Sequence, residues 1–160
     1  MIWWGPVMAL DDLYRELILD HYSHPRNRGE LPDPDIKVEG VNPLCGDELS
    51  IHVKLTEGKI SDVRFVGRGC SISQASASMM TEQVKGKTLE EARRLSGRFK
   101  ALMQGEAVGE DELGDLMAFQ GVRKFPVRVK CAMLSWVALE QGMDEFQAGK
   151  GTAATRATSE

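Results

Sequence analysis

Apolar residues recur along this chain with two periods, and the change from one to the other divides it. Over residues 11–24, Leu13 and Leu17, with Tyr14, Ile18 and Tyr22, follow the 3.6-residue spacing of an amphipathic helix. Acidic residues open it, and Pro25 with Asn27-Arg28-Gly29 closes it. Residues 30–35 form a Pro-rich connector, and residues 36–41 read as a first strand. Leu49, Ile51, Val53 and Leu55 then alternate with Ser50, His52 and Lys54, the pattern of a half-buried strand. Glu57-Gly58 turns the chain, and residues 60–66 return as the partner strand. On this pattern His52 falls on the polar face, and His21 and His24 take capping or surface places on the first helix.

From Ser71 onward the helical period takes over. "SISQASASMMTEQVKG" is rich in small residues and ends at Gly86. Thr88-Leu89-Glu90-Glu91 is a capping box, starting a helix with Leu89, Ala92, Leu95, Phe99 and Leu102 on its stripe. Residues 110–119 predict a shorter helix. Pro126 opens the last one at a first-turn position, with Gly142 at its end. The order predicts an α+β fold: a three-stranded, mainly antiparallel sheet with helices packed on one face. Residues 10–146 make one domain, between a short apolar leader (1–9) and a tail (147–160) too poor in apolar residues to order itself.

Composition narrows the functions available. A net charge of −4 argues against a general nucleic-acid surface, which needs a basic footprint. No apolar run is long enough to span a bilayer. The first residues lack the basic segment and cleavage site of a secretory signal. Three cysteines cannot all pair within one chain, so a reducing cytoplasm is the expected setting, where thiols serve metals or redox chemistry.

Each cysteine falls near the end of an element. Cys45 lies in "NPLCGD", a turn before a strand; Cys70 follows Gly-Arg-Gly where the hairpin gives way to a helix; Cys131 lies early in the last helix, on the face of Val127, Leu134 and Ala138. This placement allows the three to converge at one end of the sheet. The helix N-terminus at Cys70 favours thiolate, the form that binds metal or attacks sulfur. Arg128 and Lys130, with Arg123 and Lys124, act in the same direction on Cys131 wherever they point inward. Zinc takes four ligands tetrahedrally, and three thiolates leave one place. Asp47 is the candidate, because Gly46 permits a turn that aims positions 45 and 47 at one point. The same Asp is equally at home as a turn former, and no C-x-x-C pair strengthens the signal.

"NPLCGD", "GRGCSISQASASMM" and "VRVKCAMLSW", in that order behind "LILDHYSHPRNRG", resemble the U-type iron–sulfur cluster assembly proteins, the IscU, NifU N-terminal and SufU group. The likeness runs from about Leu10 to Gly142. The long stretch between Cys70 and Cys131, with its segment "SGRFKALMQGEAVGEDELGD", is most similar to the SufU branch. Two features of the scaffold branch are absent. "KFPVRVK" stands in place of its Leu-Pro-Pro-Val-Lys chaperone motif, and Lys130 replaces the histidine before its last cysteine.

The resemblance implies that Cys45, Asp47, Cys70 and Cys131 ligate zinc. It implies that Cys45 accepts sulfane sulfur from a PLP-dependent cysteine desulfurase, for delivery to a downstream scaffold or recipient. A [2Fe-2S] scaffold using the same ligands is the alternative within the pathway. An interaction module with a structural zinc is the alternative outside it.

Overall fold

The computed structural model of the chain describes residues 5–44, 46–149 and 155–158. Helix α1 (Gly5–Ser23) leads into strands β1 (Ile36–Asn42), β2 (Asp47–Thr56) and β3 (Lys59–Arg68). Helices α2 (Ser71–Val84), α3 (Leu89–Met103) and α4 (Glu110–Leu113) follow, then a 3-10 helix (Gly114–Lys124), α5 (Pro126–Gln147) and β4 (Thr155–Thr158). The strands lie in the order β3-β2-β1-β4. β1 with β2 and β2 with β3 pair antiparallel, as the alternating pattern predicts. Helices α2 and α5 pack on this sheet, which makes the fold α+β.

Ile36 and Val38, Leu49, Ile51 and Val53, and Ile60, Val63 and Phe65 all face the helices and are buried. They share one core with Met79 and Met80 of α2 and Leu134 and Trp136 of α5. Phe99 joins α3 to this core, stacking on Trp136 at 5.2 Å and meeting Phe119 edge-on at 5.7 Å. Side chains of this size contribute about 1.5–3 kcal/mol each when fully buried. The fold therefore has a large source of stability that owes nothing to a metal. Among the described residues, no helix is long and apolar enough to cross a membrane.

Several elements depart from the sequence pattern. Helix α1 begins at Gly5, inside the expected leader, and its buried stripe is shifted. Leu13 and Tyr22 are exposed, while His21 is buried beside Ile18. Helix α2 supplies the reason, because Ser78 Oγ lies 2.7 Å from His21 Nδ1 and satisfies the ring inside the protein. His52 is also buried, although it points away from the core. The connector crosses over it, the Leu31 N–H donating to His52 Nδ1 at 3.0 Å and the Leu55 N–H donating to Asp35 Oδ2 at 2.7 Å. The region from Glu110 splits into a short α-helix and a 3-10 segment that buries Leu116, Phe119 and Val122.

Helix α5 does not stop at Gly142. A Cβ there would stand 2.7 Å from Ile36 Cγ2, so the glycine marks where helix and strand come closest, not a helix end. Residues 155–158, expected in a disordered tail, form β4 in parallel with Val38–Val41 of β1. Main-chain pairing on an open sheet edge requires no apolar side chains, which is why composition did not reveal it.

Candidate metal centre

The alternation of the hairpin continues past its apolar residues. Ile36, Val38, Gly40 and Asn42 on β1, and Asp47, Leu49, Ile51 and Val53 on β2, are all buried. The register pairs Asn42 with Asp47, so the last inward pair is polar. The apolar face of the sheet thus ends in an amide and a carboxylate beneath the helices.

Asp47 is fully buried. Its Oδ1 accepts the Cys70 N–H at 2.9 Å, while Oδ2 lies 3.9 Å from Cys70 Sγ. Cys70 is the N-cap of α2, with extended backbone at φ −72° and ψ 165°. The carboxylate is therefore the anion at the positive end of that helix, with one oxygen committed and the other turned to the thiol. Gly69 permits the approach. At φ +150°, a Cβ there would run into the Asp47 carboxylate and come within 2.9 Å of Ser73 Oγ.

Cys131 arrives from the opposite side, within the second turn of α5, and is fully buried. Its Sγ lies 3.5 Å from the Val127 carbonyl and accepts from Asn42 Nδ2 at 3.7 Å. Beside it, Ser76 Oγ donates to the Ala132 carbonyl at 2.6 Å and ties α5 to α2. The result is a cluster of Asp47, Cys70 and Cys131 with one ligand atom from each, all within 4.8 Å of one another.

The donor set fits a zinc ion. Thiolates at about 2.3 Å and a carboxylate oxygen at about 2.0 Å from a tetrahedral centre lie roughly 3.5–3.8 Å apart. Contracting the cluster to that spacing takes side-chain adjustments of about one ångström. Asp47 has no ion-pair partner among the described residues, and a buried carboxylate in that condition is costly. A cation held between it and two sulfurs removes the cost. Thiolates select zinc or iron–sulfur clusters over magnesium or calcium.

Cys45, the fourth residue expected here, lies outside the described residues. Its loop joins Asn42 to Asp47 at this end of the sheet, with Gly46 at φ +70° and Leu44 exposed. Of the two basic residues expected to support Cys131, Arg128 is exposed and Lys130 half-buried. The histidines stay apart from the cluster: His21 on Ser78, His52 under the connector, His24 in solvent. Sequence reasoning passed over Asn42, treating Asn-Pro as turn chemistry. The signal was present, since period-2 counting onward from Ile36, Val38 and Gly40 puts Asn42 on the buried face.

A buried carboxylate and two thiols, gathered where the sheet meets two helices, make a site that could hold a metal ion in an α+β protein. The chain belongs to the NifU-like N-terminal domain family, which matches residues 13–132. It is 50% identical over 141 residues to the zinc-dependent sulfurtransferase SufU of Bacillus subtilis (strain 168), covering 88% of this chain and 95% of that one. It is 44% identical over 135 residues to the iron–sulfur cluster assembly scaffold protein IscU of Streptococcus pyogenes serotype M1, covering 84% of each. Among solved structures, FiSufU of Fervidobacterium islandicum AW-1 superposes with a TM-score of 0.77 at 38% identity, over 80% of this chain and 94% of that one.

Proposed function

We propose that this chain is a zinc-bearing sulfur carrier for iron–sulfur cluster assembly, accepting sulfur on Cys45 from a PLP-dependent cysteine desulfurase. The observation that carries the reading is the 4.8 Å cluster of Asp47, Cys70 and Cys131 at the root of the Cys45 loop. The identity to a zinc-dependent sulfurtransferase supports it. Asp47, Cys70, Cys131 and Cys45 would hold the zinc, which keeps thiols ionised at neutral pH. Two peptide units reach at most about 7 Å, so the chain itself tethers Cys45 to Asp47.

Cys70 caps α2 and Cys131 lies within α5, so both are fixed by helices, which leaves Cys45, beside Gly46 in the sequence, as the thiol assigned to sulfur transfer. Its thiolate attacks the outer sulfur of the desulfurase persulfide. A new S–S bond forms on Cys45, the old one breaks, and the desulfurase cysteine leaves as thiolate, with no net gain or loss of electrons. A reducing compartment suits this chemistry.

Exposed apolar residues on the segment before Cys45 and at the start of α5, which carries Cys131, support a protein partner. Leu44, Phe125 and Val127 are 61%, 59% and 54% exposed. Beside Cys70, a cleft of about 540 Å³ between α1, α2 and the 3-10 helix is lined by Ile18, Ile72 and Val122 together with Arg15, Arg123 and Lys124. Apolar residues next to cations suit a desulfurase surface with an acidic rim.

The same ligands suit a [2Fe-2S] cluster, and the identity to an IscU scaffold protein favours that second reading. One experiment separates them. The chain is incubated anaerobically with a cysteine desulfurase and isotope-labelled cysteine, then mapped by mass spectrometry, with metal analysis alongside. The carrier reading expects one zinc per chain and labelled sulfur on Cys45. An iron–sulfur chromophore without zinc would establish the scaffold instead, and label confined to Cys70 or Cys131 overturns the role of Cys45.

A further inference from the structure

Asn42 is the buried polar residue of this end of the sheet that the carrier reading leaves without a task. It closes β1 opposite Asp47 and is wholly buried. Its side chain reaches in two directions. Oδ1 accepts the Leu44 N–H at 3.3 Å, closing a turn over Pro43 at the start of the Cys45 loop. Nδ2 donates to Cys131 Sγ at 3.7 Å. A single amide therefore connects the segment that bears one thiol to the sulfur atom of another.

The two contacts have opposite consequences for the two thiols. An N–H directed at a thiolate spreads its negative charge, leaving it a ligand but a poorer nucleophile. Cys131 receives such a bond. The side-chain neighbour of Cys70 Sγ is instead the Asp47 carboxylate at 3.9 Å, which gives it no such quieting. On the loop side, the grip on Leu44 sets the direction in which the chain leaves β1, one residue before Cys45. We infer that Asn42 is a positioning residue that decides which thiolate of the proposed ligand set gives way, quieting Cys131 and fixing the turn at Leu44 from which the chain runs on to Cys45. This rests on the ligand set proposed above.

A purely structural asparagine would also be buried and would also close the turn, so the test must separate the donor from the acceptor. Asn42→Asp does so. It keeps size and the oxygen for Leu44, and loses the N–H toward Cys131. The native chain and the variant, both zinc-loaded, are treated with limiting iodoacetamide, and the alkylated cysteines are assigned by peptide mass spectrometry. The native chain should label Cys45 well ahead of Cys131. In Asn42→Asp the Cys45-to-Cys131 ratio should fall at least ~10-fold, the scale of changes in groups that orient a ligand.

Asn42→Ala serves if the acidic variant does not fold, and it should shift the ratio the same way. A lowered melting temperature with an unchanged ratio overturns the proposal, as does native labelling led by Cys131. Cobalt loading gives a second readout. Removing the N–H should move the thiolate-to-cobalt absorption to lower energy. No thiolate–cobalt band in the native chain counts against the ligand set, whereas a band that stays put in both variants counts against Asn42 alone.

Discussion

Helix α2 carries two buried polar clusters, and they differ in how their groups are satisfied. Around Ser78 every partner is internal. Its Oγ accepts the Arg26 N–H at 2.9 Å and lies 2.7 Å from His21 Nδ1, while the Thr81 hydroxyl donates to the Ser78 carbonyl at 2.7 Å. Asn27 Nδ2 donates to Thr81 Oγ1 at 3.1 Å, and Glu82 lies 3.6 Å from His21 Nε2. At the other end of the helix, Asp47 is equally buried yet meets one backbone N–H and two thiols, with no cation among the described residues. The first cluster is closed; the second is short of one positive charge. Buried polar groups therefore mark a site by what they lack, and polarity alone would have pointed to both.

Asp47→Asn should widen the contrast most. The amide keeps an acceptor for the Cys70 N–H but removes the charge of a proposed ligand, so zinc affinity should fall at least ~10-fold in competition titrations with a chromophoric chelator. In the zinc-free chain the same change should leave stability equal or higher, because an unpaired buried charge is gone. A large loss of zinc-free stability would show that the carboxylate is structural after all.

Ser78→Ala should behave in the opposite way. It strips partners from the buried His21 ring and the half-buried Arg26 N–H, at a cost of about 1–3 kcal/mol in denaturant unfolding. Zinc affinity should not change. If it does, α2 couples the two clusters and they are not independent.

The smallest effect is a pH dependence. Burial, and then the Arg26 guanidinium, hold His21 below its ordinary value of 6.5. Burial, and then Lys37, do the same for His52. The unfolded chain therefore binds protons more readily than the folded one as the pH falls through 6.5. Stability is fully present above that pH and declines below it. Melting curves of the chelator-treated chain should show the decline, and His21→Asn should flatten part of it. An unchanged slope in that variant would assign the effect elsewhere.

What the sequence disclosed follows from how local each signal is. Thr88 and Glu91 form their capping box as expected, Thr88 Oγ1 accepting the Glu91 N–H at 3.1 Å. The hairpin of β2 and β3 follows its alternation, and Cys70 and Cys131, two of the three cysteines placed near element ends, lie with Asp47 in one cluster. What stayed hidden depended on a distant partner. His21 stands on the same stripe as Leu17 and Ile18, but nothing near it in sequence announces Ser78. Asn42 reads as a turn former until Cys131 is seen beside it. The pairing of β4 is carried by main-chain groups, which all residues but proline share.

The wide separation of Asp47, Cys70 and Cys131 along the chain also has a consequence for biogenesis. Two of the proposed ligands belong to the hairpin and the start of α2, but the third waits on α5, the last helix among the described residues. A nascent chain that has not yet released α5 from the ribosome holds at most part of the coordination set. Closing that long loop comes late, since its entropy must be overcome before the contacts form. With the proposed ligand set, tight metal capture would be reserved for chains whose hairpin, α2 and α5 have already docked, and loading would be a checkpoint on complete synthesis.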